Sequence, residues 1–197
     1  GMDHLELEDD KQVSVWFYDD YSKELEKAGY LEAYRNAVWN KEYQKVFPFP
    51  GPAEWHPDAW VGRKAVEYIE NYERETPLFS WVSFSGPHYT FDAPAEYLEM
   101  VNGEELPPLK RREGEWDDSS RIHHDSYFGG SRANIDGCGM AEDHACKNYT
   151  DAYWDRLRIN YYAKVKLIDD QVGQIIKAAR QKNGENVMRI FTADHRE

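Results

Sequence analysis

Cysteine is scarce in this chain. Cys138 and Cys146 are the two in 197 residues, so no disulfide scaffold carries the fold, and the pair can form one loop-closing bridge or stay as two free thiols. No apolar run approaches the ~18 residues of a membrane span. The first ten residues lack the basic start and apolar centre of a signal peptide, and Gly1 ahead of Met2 reads as the scar of a removed tag. The expectation is a protein without export, cytoplasmic by default. Positive charge is also short: 24 Lys and Arg against 37 Asp and Glu leave −13 at pH 7. That balance repels phosphate backbones and anionic lipid, which argues against nucleic acid and membrane as partners. A glycine-rich phosphate loop, a serine nucleophile elbow and an internal repeat are missing as well, which removes the P-loop and α/β-hydrolase readings.

What is present is an ordinary globular composition, 41% hydrophobic and 15% aromatic, long enough to bury a core as one domain over 1–197. Residues 1–11 read as a flexible start. From Val13 to about Gln44 the spacing predicts helix, break, helix, with Asp19, Asp20 and Ser22 as caps and Gly29 as the stop. The aromatics Trp16, Phe17, Tyr18 and Tyr21 read as core or helix contacts. Prolines forbid helix over 47–52. Pro57 then opens a helix whose stripe is Trp60, Val61, Ala65, Tyr68, Ile69 and Tyr72. A short helix is expected near 93–101 and a long one, of about thirty residues, along Trp154, Leu157, Tyr161, Val165, Ile168, Val172, Ile175, Ile176 and Ala179. Two apolar runs, 78–85 and 187–193, read as buried strands. Residues 102–148 form an aperiodic stretch too long to be mere connection. The fold class is therefore α/β, helix-rich with a few mostly parallel strands.

The chemistry-bearing residues sit where those strands end. In open α/β sheets, ligands gather outside the carboxyl ends of strands. Asp194 and His195 follow the run 187–193, and a carboxylate beside an imidazole suits a divalent ion; the same dipeptide can also merely cap a turn. His88 follows Gly86-Pro87 after the run 78–85. There it can donate to an oxyanion, act as an acid, or simply occupy the turn. Lys110, Arg111 and Arg112 can pair with sulfate or phosphate, or form a solvated surface cluster. His123, His124, Cys138, His144 and Cys146 lack the close-pair spacing of structural zinc sites.

Taken in order, the stretches Phe79–Pro94, Tyr161–Gly173 and Ile190–His195 resemble the middle of bacterial sulfatases. The likeness runs from about residue 12 to the end and implies a partial alkaline-phosphatase-like fold. It also implies hydrolysis of sulfate esters, on a small molecule or glycan, through a formylglycine nucleophile and a divalent metal, calcium or manganese/magnesium. Asp194 and His195 match the family's late metal ligands, His88 matches its sulfate-contacting histidine, and Asp169 and Asp170 read as structural. The departures are equally specific. The Cys/Ser-x-Pro/Ala-x-Arg motif is missing, since neither Cys138 nor Cys146 stands in it, and Arg196 replaces the family's glycine after the metal pair. With two metal ligands and no nucleophile, the chain alone is expected to be inactive and to hold the metal weakly. Three readings remain: a central fragment of a sulfatase; a non-catalytic partner that forms a homo-oligomer or complements a missing half through sheet edges; and a phosphonate or phosphate monoester hydrolase relative.

Overall fold

In the computed structural model the described residues are 4–8, 17–40, 46–110, 112–114 and 148–193. Residues 1–101 with 159–197 form one compact unit, and 102–158 form another.

The first unit begins with two short helices, α1 (Asp20–Lys27) and α2 (Leu31–Trp39). The Asp19 carboxylate accepts the Ser22 amide at 2.6 Å, so an otherwise orphaned donor of the first turn is satisfied where the sequence signals a start. Gly29 ends α1 with φ +83°, a left-handed conformation that a side chain would resist. Tyr21 and Leu25 of α1 and Leu31, Tyr34, Ala37 and Val38 of α2 form the core with Phe47, Phe49 and Trp60. The rings meet edge-on, Tyr21 to Trp60 at 5.6 Å between centroids and Tyr34 to Phe49 at 5.2 Å. Of the expected aromatic contacts, Tyr21 is buried, whereas Phe17 and Tyr18 are exposed.

Helix α3 (Pro57–Glu70) starts on the proline that the sequence marks. Its N-cap is His56, whose Nδ1 accepts the Asp58 amide at 3.2 Å. Glu24 joins α1 to α3 by accepting from Trp60 Nε1 at 3.0 Å and from Lys64 at 2.8 Å. A four-residue helix, α4 (Ala95–Leu98), follows the segment that carries His88, and the long helix α5 runs Asp151–Asn183.

Helix α5 departs from expectation in its orientation. The residues it buries in the first unit are Asn160, Ala163, Lys164, Leu167, Gln171 and Ala178. The apolar stripe beside them, including Tyr161, Ile168 and Val172, is only half-buried, and Val165 is exposed. A helix turns the face that has partners inward, and on this face Asn160 and Lys164 have theirs in the segment 88–93.

The expected strands at 78–85 and 187–193 form no ladder. Among the described residues the β pairing is one isolated parallel bridge, Val46 with Phe91, so the described part is helical and does not display the parallel sheet. Phe79 is 80% exposed, Trp81 69%, Met188 89%, Ile190 85% and Phe191 82%. An apolar run becomes a buried strand only where neighbours take up its amides and cover its side chains.

In the second unit, Arg158 donates to the Pro107 carbonyl and Tyr149 packs on Tyr153 at 4.1 Å between centroids. Among the described residues no helix is long and apolar enough to cross a membrane.

Helices α3 and α5 meet closely at Gly62, where an added Cβ would lie 2.6 Å from Gln171 Cβ. Gly62→Ala is therefore expected to lower stability by about 1–3 kcal/mol through overpacking, seen as a lower urea midpoint with an unchanged slope. Wild-type stability in that variant would contradict the close approach.

Candidate functional site

His88 lies in a loop whose path is dictated by buried charge. Gly86 opens the loop: its amide donates to Asp58 Oδ1 at 2.8 Å, and an added Cβ would lie 2.8 Å from Asp58 Cγ. The Asp58 carboxylate, fully buried in the first turn of α3, gains both that amide and the positive end of the helix. The peptide bonds Gly86–Pro87 and Tyr89–Thr90 are cis. Downstream, Phe47 donates to Phe91 O at 3.0 Å, Phe49 to Ala93 O at 3.1 Å, and Ala93 to Asn160 Oδ1 at 3.2 Å. Both ends of the loop are thus tied to regular elements.

Lys164 of α5 holds the middle. Its ammonium donates to His88 O at 2.5 Å and to Thr90 O at 2.7 Å, and it pairs with Asp92 Oδ1 at 3.2 Å. Lys164 and Asp92 are both fully buried. Asp92 also accepts from Tyr34 OH at 2.6 Å and faces His56 Nε2 at 3.4 Å. Because His56 Nδ1 accepts the Asp58 amide, the ring's proton belongs on Nε2, directed at Asp92. Three donors thus converge on one carboxylate, which a buried anion requires. Burial, reinforced by the Asp92 charge, pushes the Tyr34 phenol well above its usual range, and burial does the same to Tyr21.

The His88 ring is half-buried, with Nδ1 2.8 Å from Tyr89 O. A carbonyl oxygen only accepts, so Nδ1 carries a proton.

The other sequence candidates divide clearly. Asp194 and His195 lie outside the described residues, as do Arg111 and the group His123, His124, Cys138, His144 and Cys146. Lys110 and Arg112 are exposed. Asp170 is structural, accepting from Lys166 at 2.6 Å and from Tyr97 OH at 3.2 Å. Partial burial first, and the Asp170 charge second, push the Tyr97 phenol up to about 12. Among the described residues no three His, Cys, Asp or Glu side chains are arranged to hold a metal. Sequence reading missed His56, Asp58, Asp92, Asn160 and Lys164. The available signal was a lysine beside alanine at the centre of a long helix, one turn from Asn160.

Comparison with known proteins places the chain in a family. Residues 8–197 match the model of the family described as Sulfatase. The chain belongs to the sulfatase family. Family membership carries the alkaline-phosphatase-like fold, and sulfatases generally use a divalent metal. The chain is also 27% identical over 144 residues to "Uncharacterized sulfatase YidJ" of Escherichia coli (strain K12), a match covering 70% of this sulfatase chain and 24% of that protein. The chain thus spans about a quarter of the length of that relative.

Two outcomes follow from the buried cluster. Lys164→Ala leaves Asp92 without its cation and is expected to cost about 3–5 kcal/mol, whereas Asp92→Asn with Lys164→Met removes both charges and is expected to recover most of that loss. Equal losses in chemical denaturation would contradict the pairing. The raised phenols make stability fall as pH climbs: below pH ~10 the phenols are neutral in both states, and above it the unfolded chain ionises first. Unfolding midpoints should therefore decline above that pH, less steeply in Tyr97→Phe.

Proposed function

We propose that the protein to which this chain belongs hydrolyses sulfate esters, with His88 contacting the sulfate group. The observation that supports this most is the pinned loop, which fixes one nitrogen of the half-buried His88 ring on the Tyr89 carbonyl at 2.8 Å. A contact from Nε2 to a sulfate oxygen needs a proton on Nε2, hence an imidazolium, because Nδ1 already carries one. The same proton can pass to the departing ester oxygen, so the ring can serve charge stabilisation and general-acid catalysis.

The nucleophile is assigned to the formylglycine of the family. No residue of this chain stands in the motif that forms it, so the isolated chain is read as inactive. Asp194 and His195 are proposed as two ligands of a divalent cation, calcium or manganese/magnesium, that is not held tightly by this chain alone. His195 also suits phosphonate or phosphate monoesters, so the substrate class is tested with both.

A second reading is favoured by the exposed Phe79, Trp81, Met188, Ile190 and Phe191. In it, 78–85 and 187–193 become mostly parallel strands once a complementing segment or second copy supplies their neighbours. A dimer or complex in light scattering at micromolar concentration is its expected signature, and a monodisperse monomer counts against it.

The deciding assay compares the full-length parent with this chain on an aryl sulfate and an aryl phosphonate. The parent should turn over the sulfate and the chain neither ester. His88→Asn in the parent should lower kcat roughly 100- to 1,000-fold, the scale of losing one donor to developing negative charge. Turnover by the chain alone, or a parent indifferent to His88, would refute the reading.

A further inference from the structure

We infer that Lys164 is a positioning residue which fixes the tautomer and direction of the His88 ring; its catalytic meaning rests on the reading of His88 as the sulfate contact. The ammonium takes the carbonyls of His88 and Thr90, at 2.5 and 2.7 Å, and leaves the carbonyl between them, that of Tyr89, to the His88 Nδ1–H at 2.8 Å. Three successive carbonyls are thus divided between one buried cation and one ring. The His88 and Tyr89 rings also pack with centroids 4.3 Å apart, so the backbone that Lys164 grips and the ring that Tyr89 steadies form one unit. An ammonium suits this place because it is a compact charge with three donors, matching two carbonyls and one carboxylate. Asp92 Oδ1, at 3.2 Å, supplies the counter-charge that lets the ammonium stay buried.

A ring held by Nδ1–H presents Nε2 at a defined position, which makes its orientation independent of solvent. Without Lys164 the carbonyls of residues 88 and 90 lose their donor, the loop relaxes, and Nδ1 loses its acceptor. The ring then reverts to the Nε2–H form that unrestrained neutral histidine favours in water.

The test is nitrogen-15 NMR of the imidazoles in this chain at alkaline pH, where neutral rings report their tautomer. His88 is assigned by its loss in His88→Asn, with His4, stacked on Tyr68, as the unaffected control. Wild type should show His88 as Nδ1–H. The charge-neutral variant D92N/K164M should shift it towards Nε2–H while the helical circular dichroism persists. An independent arm needs no variant: the Lys164 ammonium should exchange slowly and show couplings across hydrogen bonds to the carbonyl carbons of His88 and Thr90. A wild-type ring in the Nε2–H form, a folded D92N/K164M that keeps Nδ1–H, or an uncoupled ammonium would each overturn the inference. Neither arm involves turnover, so a full-length parent that ignores sulfate esters would refute the proposed function and leave this assignment standing.

Discussion

A single buried ammonium organises the loop that carries His88. Lys164 enters the interior with no solvent to hydrate it, and such a charge persists only where oxygens surround it at hydrogen-bonding distance. Those oxygens come from one short segment, the carbonyls of His88 and Thr90 and the carboxylate of Asp92. The segment must curl around the lysine, and that curl places His88. The pair is not best viewed as a source of stability, since a well-packed apolar pair could do as well. Its effect is specificity: few loop conformations satisfy two carbonyls, a carboxylate and an ammonium at once.

The rest of the first unit serves as a frame for this contact. Tyr34 of α2 and His56 at the head of α3 complete the coordination of Asp92. Asp58 holds the amide of Gly86, and Asn160 of α5 holds that of Ala93. Each end of the loop therefore meets a side chain from a different helix. The helices in turn are fixed by the aromatic core of Tyr21, Tyr34, Phe47, Phe49 and Trp60. Local propensity sets the helices, core packing sets their arrangement, and buried polar groups convert that arrangement into one loop geometry.

Much of this was legible in the sequence. Asp19, Gly29 and Pro57 each act through a local mechanism, a side-chain cap, a positive φ and a missing amide, and each marks a boundary in the structure. The length of α5 was legible from its periodicity. Its buried face was not, because apolar spacing points to Tyr161, Val165 and Val172, whereas the partners of Asn160 and Lys164 lie some seventy residues earlier in the chain. His88 stood out after Gly86-Pro87, but nothing local announces that its loop encloses a lysine. The runs 78–85 and 187–193 have strand-like patterns, yet pairing is a property of neighbours, and the described residues supply none. The ordered motifs around His88, in α5 and before Asp194 carried the family where physical reading of single residues left alternatives open.

Amide hydrogen exchange along residues 78–93 tests the account most directly. If the loop is held as described, the amides of Gly86 and Ala93, bonded to Asp58 and Asn160, exchange only when the surrounding helices open, while amides of 78–85 exchange quickly. Equal, fast exchange across the whole stretch would show that buried charge does not fix the His88 loop.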